Sequence, residues 1–209
     1  MFHVKNSARQ SNGMKYTTSV IKTEKKIKTK NTINMNNKIL IENLRCIPDF
    51  PQKGINFRDV TTLFKNAECL QIMENELLDI YKDKGITKVV GIESRGFVMG
   101  SALAIKLNAG VVLCRKPGKL PGETISESYE KEYGTDTIEI HKDAINEEDV
   151  VLLHDDLLAT GGTMKAALEL VKKFKPKKIY INFLIEITDE GLHGRDLFEG
   201  EELSCLIHL

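Results

Sequence analysis

Two adjacent acids, Asp155 and Asp156, followed after two leucines by Ala159-Thr160-Gly161-Gly162-Thr163, are the residues of this chain best suited to chemistry. They close the stretch VLLHDDLLATGGT, Val151 to Thr163. Gly161 and Gly162 carry no Cβ, so the backbone there can turn sharply and approach a ligand. Met164, Ala167, Leu168 and Val171 then recur at helical spacing. The turn therefore aims backbone amides and a helix N-terminus at one spot, an anion site that suits a phosphate. Thr160 and Thr163 add hydroxyl donors. Two carboxylates beside a phosphate cradle repel each other unless a ligand engages them. A sugar phosphate does so, because its vicinal hydroxyls donate to the acids while the amides hold its phosphate. The plainer alternative is a strand-turn-helix whose acids only cap the turn. Other phosphate motifs do not match. GGTMK lacks Walker spacing, the glycines of GIESRGF have no following Gly-Lys-Ser/Thr, and no G-x-G-x-x-G follows a strand.

Positioning these residues requires a sheet. The apolar run Val150 to Leu153 reads as a buried strand, with Asp155 and Asp156 emerging at its carboxyl end, where open α/β sheets bind ligands. KVVGI (Lys88 to Ile92), AGVVLC (Ala109 to Cys114) and Lys178 to Ile185 read as further strands, and TDTIEIH, ending at His141, alternates like one. FVMGSALAIKL after Gly96 is apolar nearly all round, as a helix buried on a sheet should be. Leu70, Met73, Leu77 and Tyr81 share one helical face, with Gly85 as a stop. The alternation predicts an α/β fold, a mostly parallel twisted sheet flanked by helices. The polar stretch 116–137, with three glycines and two prolines, reads as a loop of the length common in lids and binding loops. An inert surface insertion is the alternative.

With 209 residues, 41% of them hydrophobic, the chain has the bulk for one domain with a buried core. No apolar run reaches 18 residues, so no membrane span is expected. The net charge of zero is unevenly spread: residues 1–38 carry +8 and the remainder −8. That basic head has no hydrophobic period and reads as a disordered extension ahead of one domain, 39–209. A mitochondrial presequence is an alternative that a single arginine, Arg9, does not favour. Met14 and Met35 are alternative starts. Cys46, Cys69, Cys114 and Cys205 form no C-x-x-C, the pattern of reduced thiols in a cytoplasmic protein. The five histidines form no H-E-x-x-H, so no metal is expected on dedicated protein ligands.

VLLHDDLLATGGT resembles the phosphoribosyl-pyrophosphate (PRPP) motif of the type I phosphoribosyltransferases, in the Asp-Asp-Leu-Leu-Ala-Thr-Gly-Gly-Thr form typical of adenine phosphoribosyltransferases. Three more segments agree in the family's order: IPDFPQKGINFRDVT (Ile47 to Thr61), GIESRGFVMG (Gly91 to Gly100) and RKPGKLPGETISESYEKEYG (Arg115 to Gly134). The match runs from about Ile39 to the C-terminus. It implies the type I phosphoribosyltransferase fold, with a small N-terminal hood over the base at about 39–66 and a mobile active-site loop at about 116–137. It further implies purine salvage, in which adenine displaces pyrophosphate from PRPP to give AMP. Magnesium would arrive bound to PRPP or pyrophosphate. The implied assembly is a homodimer, with no nucleic acid or membrane partner.

Breaking the bond at ribose C1 develops oxocarbenium character on the sugar and negative charge on the leaving pyrophosphate. The site then needs cations near the leaving group, fixed contacts on the ribose, and little water. On the resemblance, Asp155 and Asp156 hold the ribose hydroxyls, and Ala159, Thr160, Gly161, Gly162 and Thr163 hold the 5-phosphate. Ser94, Arg95, Arg115 and Lys119 take the pyrophosphate. Arg95 is grouped with Glu132 and Tyr133 as catalytic, Glu132 as a proton acceptor or positioning group. Phe57 and Leu157 grip the adenine faces, and backbone groups near Asn56 and Arg58 read its edge, since a carbonyl accepts from a 6-amino group and rejects a 6-oxo group. His154 stands where the family has an apolar residue; it is either structural or a charge that perturbs Asp155. Pro117 also departs from the pattern. Two alternatives stay open. One is a transferase for hypoxanthine, guanine or xanthine, although those relatives carry Glu-Asp in the motif. The other is a non-catalytic nucleotide sensor, which would be expected to lose loop residues that this chain retains. No helix-turn-helix is visible, and any affinity of the basic head for nucleic acid or membranes would be weak and salt-sensitive.

Overall fold

The computed structural model describes residues 35–131, 134–188 and 191–209. By its internal contacts the chain divides into Met1–Ile39 and Leu40–Leu209. Residues 1–34 of the basic head lie outside the described residues, and helix α1 covers 35–43.

The second unit is built on five parallel strands in the order β4 (Gly110–Cys114), β3 (Lys88–Ile92), β7 (Val150–Leu158), β8 (Lys178–Glu186) and β9 (Leu203–His208). Its inner strands β3, β7 and β8 are near-continuous apolar runs because both faces are covered. Successive side chains of a strand point to opposite faces. Val90, Ile92, Val151, Leu153, Ile181 and Phe183 join the core with helix α5 (Gly162–Lys172), through Met164, Ala167, Leu168 and Val171. On the alternate positions, Val89, Gly91 and His154 meet Gly100 of helix α4 (Gly96–Leu107). Helix α3 (Ala67–Tyr81) packs beside α4 and begins where the Asn66 side chain accepts from the Glu68 and Cys69 amides at 2.9 and 3.3 Å. Its buried stripe is Cys69, Met73, Leu77 and Tyr81, so Cys69 takes the inward place expected of Leu70.

Two expectations are corrected. Strand β7 does not stop at Leu153 but runs on to Leu158, so Asp155 and Asp156 sit within it. Strand β8 stays paired alongside as far as Leu158↔Glu186 and supplies the backbone partners that extend it. The stretch 116–137 is not irregular throughout. From Thr124 it is an antiparallel ribbon, β5 (Thr124–Lys131) against β6 (Gly134–His141). Ile138 and Ile140 are buried in the core, with Ile125 and Tyr129 packed against it, while serines and acids occupy the outer face. One apolar face every second residue is enough for a strand, and the charged face disguised it as a loop.

A short hairpin, β1 (Arg45–Ile47) with β2 (Phe57–Asp59), precedes a single helical turn, α2 (Thr61–Phe64), and a 3-10 turn, Gly194–Phe198, precedes β9. No helix among the described residues is long and apolar enough to cross a membrane.

Candidate active site

The sheet has one switch point. Strand β3 leads outward to β4, and β7 leads the other way to β8 and β9, so a crevice opens between β3 and β7 at their carboxyl ends. Strand β7 also outruns β3: their register ends at Gly91↔His154, while β7 and β8 stay paired to Leu158. The acid pair lies where β7 has lost its β3 neighbour.

Both acids reach the start of α4: a Cβ on Gly96 would lie 3.1 Å from Asp155 Oδ1, and Arg95 pairs with Asp156. Asp156 is only 3% exposed and accepts a charge-assisted hydrogen bond from Arg95 Nε. Asp155 is partly exposed, and its carboxylate accepts from the Asp156 amide at 2.9 Å. Burial, then the Asp156 charge, push the Asp155 carboxyl well above the usual carboxylate range. The acids are therefore unequal, one paired with a guanidinium and the other raised by burial and by its neighbour's charge.

Arg95 is the residue that opens α4, preceded by a cis Glu93–Ser94 peptide. Its guanidinium carbon lies 6.0 Å from the Phe57 ring centre, so Arg95 links the acid pair to the β1–β2 hairpin. Phe50 packs edge-on to Phe57 at 5.2 Å. The hairpin is fastened by Arg45 Nε on Asp59 Oδ2 at 3.1 Å and by the Thr61 hydroxyl on Asp59 Oδ1 at 2.6 Å. Thr61 and Arg45 hold the Asp59 carboxyl below its ordinary range. Arg58 turns to Cys46, its Nη1 2.6 Å from the sulfur, while Asn56 is exposed and Leu157 half-buried.

Ala159 to Thr163 form a tight turn into α5. Gly161 has φ of +77°, a left-handed conformation that favours glycine, and it caps the helix without any side-chain hydrogen bond. The first amides of α5 thus have no side-chain cap. Gly162 has no such need: a Cβ there would meet only the Tyr129 ring, at 3.7 Å. The turn is backed by Gly194, where a Cβ would collide with the Ala159 carbonyl oxygen. Arg195 anchors that contact through Nε and Nη2 on Glu186 at 2.6 and 2.5 Å, with His208 Nδ1 2.9 Å from the same carboxylate. Sequence reasoning missed this clamp; the available signal was a lone acid, Glu186, ending an apolar strand run.

Arg115 is tied to Glu93 by Nη2 at 2.8 Å and Nε at 3.3 Å, and its Nη1 donates to the Lys119 carbonyl at 3.1 Å. The Lys116 amide also donates to Glu93, at 3.0 Å. Arg115 and that amide hold the Glu93 carboxyl below its usual range. Arg115 therefore staples the 115–119 turn to the end of β3, and Lys119 joins this cluster through its backbone. Glu93 was passed over although it stands inside the quoted GIESRG segment. Glu132 and Tyr133 lie outside the described residues. Tyr129 does not, and its hydroxyl sits 2.8 Å from Thr163 Oγ1.

His154 is structural. Its Nδ1 lies 2.7 Å from Asn182 Oδ1. Asn182 Nδ2 donates to Ser204 Oγ at 3.0 Å, so Oδ1 is the acceptor and the imidazole hydrogen is assigned to Nδ1. Burial pulls its pKa down to about 4, so it is neutral near pH 7 and brings no charge to Asp155. Among the described residues, no three His, Cys, Asp or Glu side chains gather into a metal site.

The phosphoribosyl transferase domain profile matches residues 59–196. The chain is 67% identical over 164 residues to the adenine phosphoribosyltransferase of Bacteroides thetaiotaomicron, covering 78% of this chain and 92% of that one. Among solved structures it is similar to the adenine phosphoribosyltransferase of Rhodothermus marinus (TM-score 0.79, 45% identity, 84% of this chain and 99% of that one). It is also similar to the APRTase of Giardia lamblia complexed with 9-deazaadenine (TM-score 0.74, 44% identity, 79% and 93%).

Proposed function

The chain belongs to the phosphoribosyltransferase family, and on that footing we propose that it is an adenine phosphoribosyltransferase of purine salvage, converting adenine and PRPP to AMP and pyrophosphate. The observation that carries this reading is the crevice between β3 and β7, which gathers the acid pair, Arg95 and the uncapped start of α5. The identity to a named adenine enzyme, and the 9-deazaadenine held by the Giardia relative, support the choice of base.

In this reading the 5-phosphate takes the amides and hydroxyls of Ala159, Thr160, Gly161, Gly162 and Thr163, where helix dipole and orphan N–H groups favour an anion. Asp155 and Asp156 accept from the ribose hydroxyls, Asp156 shared with Arg95. As the C1 bond lengthens, the acids answer the positive charge growing on the sugar. Ser94, Arg95, Arg115 and Lys119 answer the negative charge on the pyrophosphate. Glu132 takes or positions the adenine proton, with Tyr133 beside it. The hairpin of the 39–66 hood, with Asn56, Phe57 and Arg58, holds adenine against Leu157. The 116–137 segment closes on the sugar and keeps water out.

Magnesium would arrive with PRPP or pyrophosphate, held by substrate oxygens and the waters that this ion commonly keeps. When bound it spreads the charge of the pyrophosphate. A second copy of the chain is the partner we assign to Val98 and Ile105 of α4 and to Val111 and Leu113 of edge strand β4, four exposed apolar side chains. Four free cysteines suit the reducing cytoplasm.

The test is to offer adenine, hypoxanthine and guanine side by side with PRPP and magnesium. Nucleotide from adenine alone is expected. Turnover of a 6-oxo purine would overturn the assignment of the base to Asn56, Phe57 and Arg58. Binding of PRPP with no turnover of any base would favour a sensor.

A further inference from the structure

The ribbon lies along α5 and is tied to it at both ends. Toward the C-terminus of α5, Lys173 Nζ donates to the Ser126 carbonyl at 2.8 Å and pairs with Glu127 at 2.6 Å. At the other end, Tyr129 meets Thr163, the second residue of the helix, hydroxyl to hydroxyl at 2.8 Å. Tyr129 also faces its cross-strand neighbour Asp136, with its hydroxyl 3.3 Å from Oδ2. Lys116 Nζ pairs with that carboxylate and lies 5.9 Å from the Tyr129 ring centre.

A hydroxyl has one proton to give. An ionised Asp136 can only accept, so with no anion at the turn the protons run Thr163 to Tyr129 to Asp136. A phosphate on the first amides of α5 also only accepts, and Thr163 then gives its proton to the phosphate. The Tyr129 proton turns from the 3.3 Å partner to the Thr163 oxygen at 2.8 Å. We propose that Tyr129 is a positioning residue for the phosphate subsite: its hydroxyl reverses direction when a sugar 5-phosphate binds and fixes the Thr163 rotor. A ligand carrying the 5-phosphate gains this contact, and one carrying only pyrophosphate does not.

This rests on the reading of Ala159 to Thr163 as a phosphate site, and titration calorimetry of the full chain separates the two. Ribose 5-phosphate and, separately, pyrophosphate are titrated into the wild type, Tyr129→Phe, Thr163→Val, Thr163→Ser and the Tyr129→Phe/Thr163→Val double variant. Loss of one such hydrogen bond is worth about fivefold in affinity. Tyr129→Phe is expected to weaken ribose 5-phosphate by about that factor and to leave pyrophosphate within about twofold. Thr163→Ser should retain wild-type affinity, and the double variant should bind no worse than Thr163→Val alone. Unchanged ribose 5-phosphate affinity in Tyr129→Phe, or single effects that simply multiply, would overturn the inference while leaving the phosphate site standing. Failure of the wild type to bind ribose 5-phosphate would overturn both.

Discussion

Asp155 and His154 are neighbours on β7, and their titrations pull stability in opposite directions. The Asp155 carboxyl is raised by burial and by Asp156, so between 3.8 and its native value the folded chain binds more protons than the unfolded one. Its contribution is complete below 3.8 and is lost as pH rises. Replacing it by Asn should therefore raise the melting temperature at pH 8 by a few degrees, on the order of 1 kcal/mol, while lowering kcat/KM for PRPP about tenfold to a hundredfold through the lost charged hydrogen bond. Paired melting curves and kinetics check both signs. His154 is the reverse case, lowered by burial from 6.5 to about 4. Its contribution is present above 6.5 and lost as pH falls toward 4, roughly 3 kcal/mol across that interval. His154→Leu should leave Asn182 Oδ1 unpaired and melt lower at neutral pH, yet flatten the decline between pH 6.5 and 4. Its pH profile of kcat/KM should be that of the wild type, since a neutral imidazole has no charge to withdraw. The acid pair and the glycine turn were legible in the sequence because residue type and spacing both speak within nine positions. Glu93, Tyr129 and Glu186 were not, because the partners Arg115, Thr163 and Arg195 stand on other elements.

At the scale of elements, the site depends on strands of unequal length. Strand β7 extends past β3, and the end beyond that pairing carries the acids. The strand-helix alternation made β3, α4, α5 and β8 readable, since fully buried runs and a 3.6-residue period are strong local signals. TDTIEIH reads as a strand, but its partner β5 was misread because Ile125 and Tyr129 are the only apolar residues among its Ser, Glu and Lys. The clamp behind the phosphate turn is also an element-level device. Arg195→Ala would leave Glu186, 5% exposed, without its guanidinium. A loss of about 1–3 kcal/mol is expected, discounted because Arg195 itself is half in solvent. If Gly194 supports the turn, KM for PRPP should rise severalfold with KM for adenine unchanged, which initial-rate kinetics at saturating co-substrate would read. Equal changes in both would mean general loosening of the sheet end.

For the whole molecule, a parallel sheet that reverses its winding once offers one crevice, and Arg95 meets the acid pair at its mouth. That architecture was foreseeable from the order of elements; the switch point was not, because strand order is decided by pairing and leaves no trace in local pattern. The central claim is phosphoribosyl transfer to adenine rather than binding or hydrolysis. The most direct measurement follows labelled adenine with PRPP and magnesium, counting AMP and pyrophosphate in the same reaction. Equal amounts of the two, with PRPP consumed only when adenine is present, are predicted. PRPP consumed to ribose 5-phosphate at the same rate with or without adenine, or no AMP at all, would contradict the account.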